Sequence, residues 1–382
     1  LKEYIIKKFF RNLLTPSLRY ELRENITYLK ELRFRLNLWS WELKKIPPQS
    51  GKSNSILYLG RRSQREMALL LLGVDRDSEQ GNSYKYESKN KVVICEMPFP
   101  GAICVPNFLS TVLPLDRPIE ELILRMNKEK LRFYQKNRES YHFRLLLDDE
   151  EIEHIEQTML RPFAANRYGE GAAQLDTSQI KKLAKDRGAF TLVYFNNEEI
   201  ACHIGYDFSR KDKRYWNCVR LGYPEKVFSD SKVFGQTNIM NNFLQIEWLR
   251  KKGFDFYDIG ISLARPNDGL IQWKRAYRGN LDTMENYNYF YVCPPKTNTC
   301  QFFWETPLFG LEHKKLVLHL GKPNSKTDDD FISSIQKMGF GGLYTVYLHC
   351  EHPPSDTIQT ALKNIYDHLD YLPQIKVIYH VQ

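Results

Sequence analysis

Residues 253–274 read Gly253-Phe254-Asp255-Phe256-Tyr257-Asp258-Ile259-Gly260, then Ile261-Ser262-Leu263-Ala264, then Arg265-Pro266-Asn267-Asp268-Gly269-Leu270-Ile271-Gln272-Trp273-Lys274. A run rich in aromatic and β-branched residues, bounded by glycines, predicts a strand over 254–259. The polar, Gly- and Pro-containing segment 260–269 predicts a loop. Residues 270–273 predict a further strand that opens a hairpin returning through residues 284–292.

Just before this stretch, apolar residues recur at Ile239, Met240, Phe243, Leu244 and Trp248. Their spacing predicts a helix over 236–250. Lys251 and Lys252 suit its negative end, and Gly253 suits its cap. Further back, residues 190–195 and 199–206 predict two strands joined through Asn196-Asn197-Glu198, because asparagine tolerates the positive φ of a tight turn. A third strand is predicted over 215–221, followed by a loop over 222–235. Helices are predicted from Asp116, where Ile119, Leu122, Ile123 and Met126 form one stripe, over 149–160, and over 177–185. The whole is an α/β (α+β) pattern.

This order of elements resembles the GNAT fold. The stretch Asp258-Ile259-Gly260, then Gly269-Leu270, then Trp273-Lys274, resembles the signature of Fem-type acyltransferases within that superfamily. Arg117-Pro118-Ile119-Glu120-Glu121, after Leu113-Pro114-Leu115, resembles the family's first basic helix. The resemblance covers residues 105–293. It implies a mixed sheet with splayed central strands flanked by helices, and transfer of an acyl or aminoacyl group to an amine by direct attack. No tightly bound cofactor is implied. The co-substrate is acyl-CoA, an acyl-carrier protein or aminoacyl-tRNA, and the acceptor is a small-molecule amine of an envelope or polysaccharide pathway. A catalytically degenerate binding or scaffold protein is the alternative from another class.

The resemblance also implies site residues. The splayed strand is expected at 200–204, with Ala201 and His203 in the cleft, and the donor's pyrophosphate at Lys232, Gly235, Gln236, Thr237 and Asn238, where a helix N-terminus attracts anions. A full pyrophosphate loop is tighter than this, and only Gly235 of it survives. Asp258 is the first candidate for the base and Glu170 the second. Lys274 would place positive charge at the donor or oxyanion, and Tyr277 could donate a proton. Arg161, Phe163, Arg167 and Tyr168 would line the acceptor pocket. The competing readings are plain ones: a backbone-bonded aspartate, a surface lysine and a core histidine.

The chain has 382 residues and a net charge of +9. That length implies more than one domain. Residues 1–50 read as a basic helical arm. Within 1–45, eleven Lys/Arg face five Asp/Glu. Such a face suits an anionic membrane surface or tRNA, or plain solvation. Residues 51–115 read as a β-rich lobe that could be a degenerate half of the same fold. Residues 116–300 read as the transferase domain, and 301–382 as a small C-terminal α/β module for docking or dimerisation. Seven scattered cysteines suit reduced thiols, and no apolar run approaches the roughly 20 residues of a membrane helix. A cytoplasmic protein, peripheral at the membrane's inner face at most, is expected. His349-Cys350-Glu351-His352 places adjacent side chains on opposite faces of an extended segment, so no metal site is expected there.

Overall fold

The computed structural model describes residues 15–48, 54–74, 91–168, 177–186, 188–367, 369 and 371–380. Its strands, in chain order, begin with β1 (Trp41–Ile46), β2 (Ser55–Arg61), β3 (Lys91–Cys95), β4 (Ile103–Pro106) and β5 (Phe108–Pro114). Next come β6 (Tyr141–Leu146), β7 (Gly188–Phe195), β8 (Glu198–Arg210), β9 (Lys213–Gly222) and β10 (Phe256–Leu263). The last are β11 (Asn280–Asp282), β12 (Tyr289–Cys293), β13 (Leu308–Glu312), β14 (Lys315–Lys322), β15 (Thr345–Cys350) and β16 (Gln374–Tyr379). The fold is α/β with mixed sheets. The chain divides into two compact units, one holding residues 1–23 and 112–260, the other 24–111 and 261–382.

In the first unit the strand order is β5–β10–β9–β8–β7–β6. Strands β6 to β9 form an antiparallel meander. Asn196 (φ 49°) and Asn197 (φ 66°) make the tight turn between β7 and β8, as their side chains predict. Strand β9 then enters the helix Ser231–Lys251, and the chain returns as β10, parallel to β9. A crossover helix brings the strand after it beside the strand before it. Gly253 (φ 72°) caps that helix as expected. The helix Ile119–Met126 buries the expected stripe of Ile119, Leu122, Ile123 and Met126. The helix from Asp149 passes into a π turn over Glu156–Leu160 before the helix Arg161–Tyr168.

In the second unit one nine-stranded sheet runs β1–β2–β3–β12–β4–β13–β14–β15–β16. The segments 51–115 and 301–382, read from sequence as separate bodies, thus share a sheet and a single apolar core that includes Tyr58, Ile94, Phe303, Phe309, Val346 and Leu362. The expected β-α-β-α-β order of the C-terminal segment is present, with β14, β15 and β16 parallel. Ser355 and Thr327 cap its two helices, the latter with Asp330 in a reciprocal capping box. Residues 270–273, expected as a strand, lie in the helix Gly269–Arg275. Asp268 caps it by accepting from the N–H groups of Leu270 and Ile271. A side-chain cap satisfies donors that a strand would have paired elsewhere. Of the basic arm, residues 16–35 form a helix, and residues 1–14 lie outside the described ones. No helix among the described residues is long and apolar enough to cross a membrane.

Three histidines of the second unit meet head to tail. His319 Nδ1 lies 3.0 Å from His349 Nε2, and His349 Nδ1 lies 2.8 Å from His380 Nε2. Phe303 stacks on both His319 and His349. Burial lowers the pKa of His319 to about 4. Burial, then the neighbouring imidazoles, lowers His349 to about 2. In the first unit, burial takes His203 to about 3. Each of these groups is neutral when folded and protonates near pH 6.5 when unfolded. The unfolded chain therefore binds more protons below that pH, and acid destabilises the fold. The three together should cost roughly 4 kcal/mol per pH unit between about 6.5 and 4. Urea titrations at pH 7, 6 and 5 should show this slope, and His203→Gln should remove about a third of it. A pH-independent midpoint over that range would refute the assignment.

Candidate functional site: a forked sheet in the first unit

The register between β9 and β10 lasts three pairs: Tyr215 with Phe256, Trp216 with Tyr257, and Asn217 with Asp258. Beyond Asn217 and Asp258 the two strands are no longer paired. Two local features part them. Opposite β8, Cys218 faces Gly205 and Arg220 faces Ile204, so Val219 is an extra, bulged residue. A bulge bends its strand and turns one peptide out of the ladder. On the other prong, Gly260 adopts φ 85°, a left-handed conformation that glycine takes without steric cost.

Asp258 sits at the base of the fork and is fully buried. Its Oδ1 accepts from the Gly260 N–H at 2.9 Å, and its Oδ2 accepts from Asn217 Nδ2 at 3.4 Å. The aspartate of the Asp-x-Gly stretch thus fixes the turn on its own strand and ties it to the last paired residue of β9. Both oxygens of Asp258, the first candidate for the base, are thus engaged, and the group is closed to solvent.

The splayed strand was expected at residues 200–204. Those residues lie instead in the middle of the sheet, with Ala201 and His203 paired to β7 and His203 also paired to β9. The fork is one strand over, between β9 and β10, the parallel pair joined through the helix Ser231–Lys251. His203 is 1% exposed, and its Nε2 lies 3.4 Å from the Tyr257 hydroxyl.

The helix Ser231–Lys251 begins five residues earlier than its apolar pattern predicts. Asp230 caps it, its carboxylate accepting from the N–H groups of Lys232 and Val233. Gly235 and Gln236 therefore lie within the helix rather than at its mouth, and Lys232 is exposed on the first turn. A carboxylate already holds the donors expected to cradle a pyrophosphate, and its charge opposes a second anion there. Thr237 and Asn238 are buried. Asn238 Oδ1 accepts from the Tyr223 hydroxyl at 2.7 Å and from Asn242 Nδ2 at 3.0 Å. With Asn241 and Gln245 they give this helix a polar face that is buried against the sheet. Asn241 Nδ2 reaches the Cys202 carbonyl, and Gln245 Oε1 accepts from Thr191. The apolar spacing marks only part of the buried face. The signal for the rest was Asn238, Asn241, Asn242 and Gln245 at helical spacing.

Of the expected acceptor-pocket residues, Arg161, Phe163 and Arg167 have partners within the first unit. Arg161 donates through Nε and Nη2 to Glu156 Oε1 at 3.0 and 2.8 Å. Glu156 is buried in the π turn, and its other oxygen accepts from Thr177 at 2.9 Å. Phe163 is buried against Tyr223, Phe228 and Phe234. The guanidinium of Arg167 lies over the Phe163 ring. Tyr168 ends its helix, and Glu170 lies outside the described residues. In the second unit, Lys274 is only 3% exposed and donates from Nζ to the Ile261 carbonyl at 2.9 Å. It is a buried lysine that holds backbone. Tyr277 is also buried, edge-on to Trp273, and burial raises its pKa, which keeps the phenol protonated.

No family model matches the chain, and no curated protein matches it. Among solved structures it is similar to FemX, at 10% identity over 68% of this chain and 92% of that one, with a TM-score of 0.38. It is also similar to L-PGS from Bacillus licheniformis, at 9% identity over 66% and 79%, with a TM-score of 0.35. A third is the aminoglycoside acetyltransferase meta-AAC0020 from an uncultured soil metagenomic sample, at 13% identity over 37% and 89%, with a TM-score of 0.27. Overlap this loose says nothing of site or substrate.

Asp258→Ala should destabilise the protein by about 3 kcal/mol, because it removes the carboxylate's hydrogen bonds with the Gly260 N–H and the buried Asn217 amide. Asp258→Asn keeps an acceptor and should cost less than half of that. Urea midpoints measure both, and an alanine variant as stable as the parent would show that the fork does not depend on this group.

Proposed function

We propose that the chain is an acyltransferase that moves an acyl or aminoacyl group to an amine at the fork of the first unit. The carrying observation is the parallel pair β9 and β10, which parts directly after Asn217 and Asp258 with a bulge at Val219. A cleft between parting strands offers main-chain groups to an extended amide-bearing donor, as a sheet edge does to a peptide. The bulged peptide at Val219 supplies an N–H for the carbonyl oxygen on which charge develops during attack by the amine. Asp258 holds the two prongs at a fixed separation. Direct attack is preferred to a covalent intermediate. Cys202 is fully buried, and burial holds its thiol well above the usual thiol range, so it is no nucleophile.

The donor class follows from Asp230. Its carboxylate sits where a CoA pyrophosphate would bind, and this favours a donor whose anionic part lies elsewhere, such as an acyl-carrier protein or an aminoacyl-tRNA. The exposed basic residues Lys30 and Arg33 of the N-terminal helix are compatible with either partner.

Amine-dependent transfer should be assayed with acetyl-CoA, acyl-carrier protein and charged tRNA as donors. Activity is expected with a carrier or tRNA donor. Val219→Pro removes one backbone N–H and should lower kcat by about 100-fold, whereas Val219→Ala should stay within about threefold. Equal rates in the proline and alanine variants, both folded, would overturn the assignment of the bulge. Efficient transfer from acetyl-CoA would overturn the donor class.

A further inference from the structure

The second unit contains a cleft of about 750 Å³ that the proposed transferase site does not use. Its walls come from three helices. Arg275 ends the helix Gly269–Arg275, with Arg278 one turn beyond it. Gln336 follows the helix Asp328–Ile335, and Thr360 and Asn364 belong to the helix Asp356–Asn364. Ile332 and Ile365 give the cleft an apolar side. This volume lies in the range of small-molecule sites, which combine apolar walls with a few convergent polar groups.

The charge of the lining is unusual for a structural groove. Arg275 is half-buried, donates from Nε to Gln272 Oε1 at 2.9 Å, and among the described residues makes no ion pair. Burial lowers its pKa, the mark of a cation partly withdrawn from water in the cleft wall. Taking a guanidinium out of water is costly unless an anion compensates it. Arg278 is a second cation, held at φ 59°. The first turn of the helix Asp356–Asn364 also borders the cleft, through Asp356 and Thr357, and adds the positive end of a helix dipole. The Asp356 carboxylate is the one anionic group of the lining, against two guanidinium groups. Arginine forks match phosphate oxygens two at a time, and the hydroxyl of Thr360 and amides of Gln336 and Asn364 can donate to a polar body.

We infer that this cleft binds a small phosphorylated metabolite, its phosphate held by Arg275 and Arg278 and its organic body lying along Ile332 and Ile365. The inference does not rest on the transferase reading, since the cleft and its lining belong to the second unit alone.

The test is a thermal-shift and calorimetric titration of the full chain with adenosine monophosphate, a hexose 6-phosphate and inorganic phosphate. Adenosine, the free hexose and sodium sulfate at matched ionic strength are the controls. A ligand of the folded state raises Tm by mass action. At least one organic phosphate should raise Tm saturably, more than sulfate and more than its unphosphorylated counterpart. Arg275→Gln should weaken that binding by at least about tenfold while leaving the Tm of the free protein unchanged. Thr360→Tyr keeps both arginines but fills the cleft, and should abolish binding of the organic phosphates. No saturable shift with any phosphate, or shifts matched by sulfate, would overturn the inference, as would binding indifferent to both variants.

Discussion

The Asp258 carboxylate governs the opening of the first unit's sheet. Parallel strands joined by a crossover helix normally stay paired along their length, because each unpaired backbone group in a buried place costs free energy. Here β9 and β10 stay together for three residues and then part. The separation is stable because one buried side chain satisfies the turn of β10 at Gly260 and the amide of Asn217 on β9 at once. The bulge at Val219 completes the geometry from the other side. Remove the anchor and the parting point has no reason to fall where it does. The helix Ser231–Lys251 packs beside the sheet with a polar face, Asn238, Asn241, Asn242 and Gln245, that hydrogen-bonds to Tyr223, the Cys202 carbonyl and Thr191. Such a network specifies one arrangement more sharply than interchangeable apolar packing does.

Much of the first unit was legible in the sequence, where local rules and tertiary packing agree. Asn196-Asn197 dictated a hairpin turn, Gly253 a helix end, and Ile119, Leu122, Ile123 and Met126 a buried stripe, and each is so placed. The misreadings have physical causes. Leu270-Ile271-Gln272-Trp273 is too short for periodicity to separate strand from helix, and the decisive residue was the cap, Asp268. The helix Ser231–Lys251 was started late because Ser231, Lys232 and Gln236 carry no apolar signal, although Asp230 announces a cap. The fork was expected on β8 because strand pairing, which puts β8 between β7 and β9, is not displayed by local sequence. The candidate site was less legible than the fold. Asp258 was singled out by its Asp-x-Gly setting, but its burial and its bonds to Gly260 and Asn217 are not displayed by sequence. Arg161 and Phe163 carry the chemistry of a pocket and spend it on Glu156 and on an aromatic cluster.

Long-range pairing was the least legible feature. Nothing local in residues 91–106 or 289–312 says that β12 inserts between β3 and β4, or that β13 then pairs β4. The same holds for the histidine chain. His319, His349 and His380 are about thirty residues apart in sequence, and the parallel register of β14, β15 and β16 brings them into line. Reading His349 with its sequence neighbours Cys350 and His352 looked in the wrong direction, because partners in a parallel sheet lie across strands.

The interleaving of β3, β12 and β4 also bears on how the chain comes to be folded. Strands β5 to β10 lie within residues 108–263, so their pairings close over short to moderate loops. The nine-stranded sheet has no such economy. Its middle strands are separated in sequence by the whole of the first unit, and β12 has to find a slot between two strands synthesised some two hundred residues earlier. Non-local pairing of that kind carries a large loop-closure cost before any contact rewards it, and slows folding. On a ribosome the first unit's sheet can therefore take shape while β3 and β4 still wait, edges unpaired, for the strand that joins them. Until it arrives those edges invite pairing with other chains. The insertion that gives the protein its forked sheet is thus also what makes its larger sheet the slow and vulnerable part of biogenesis.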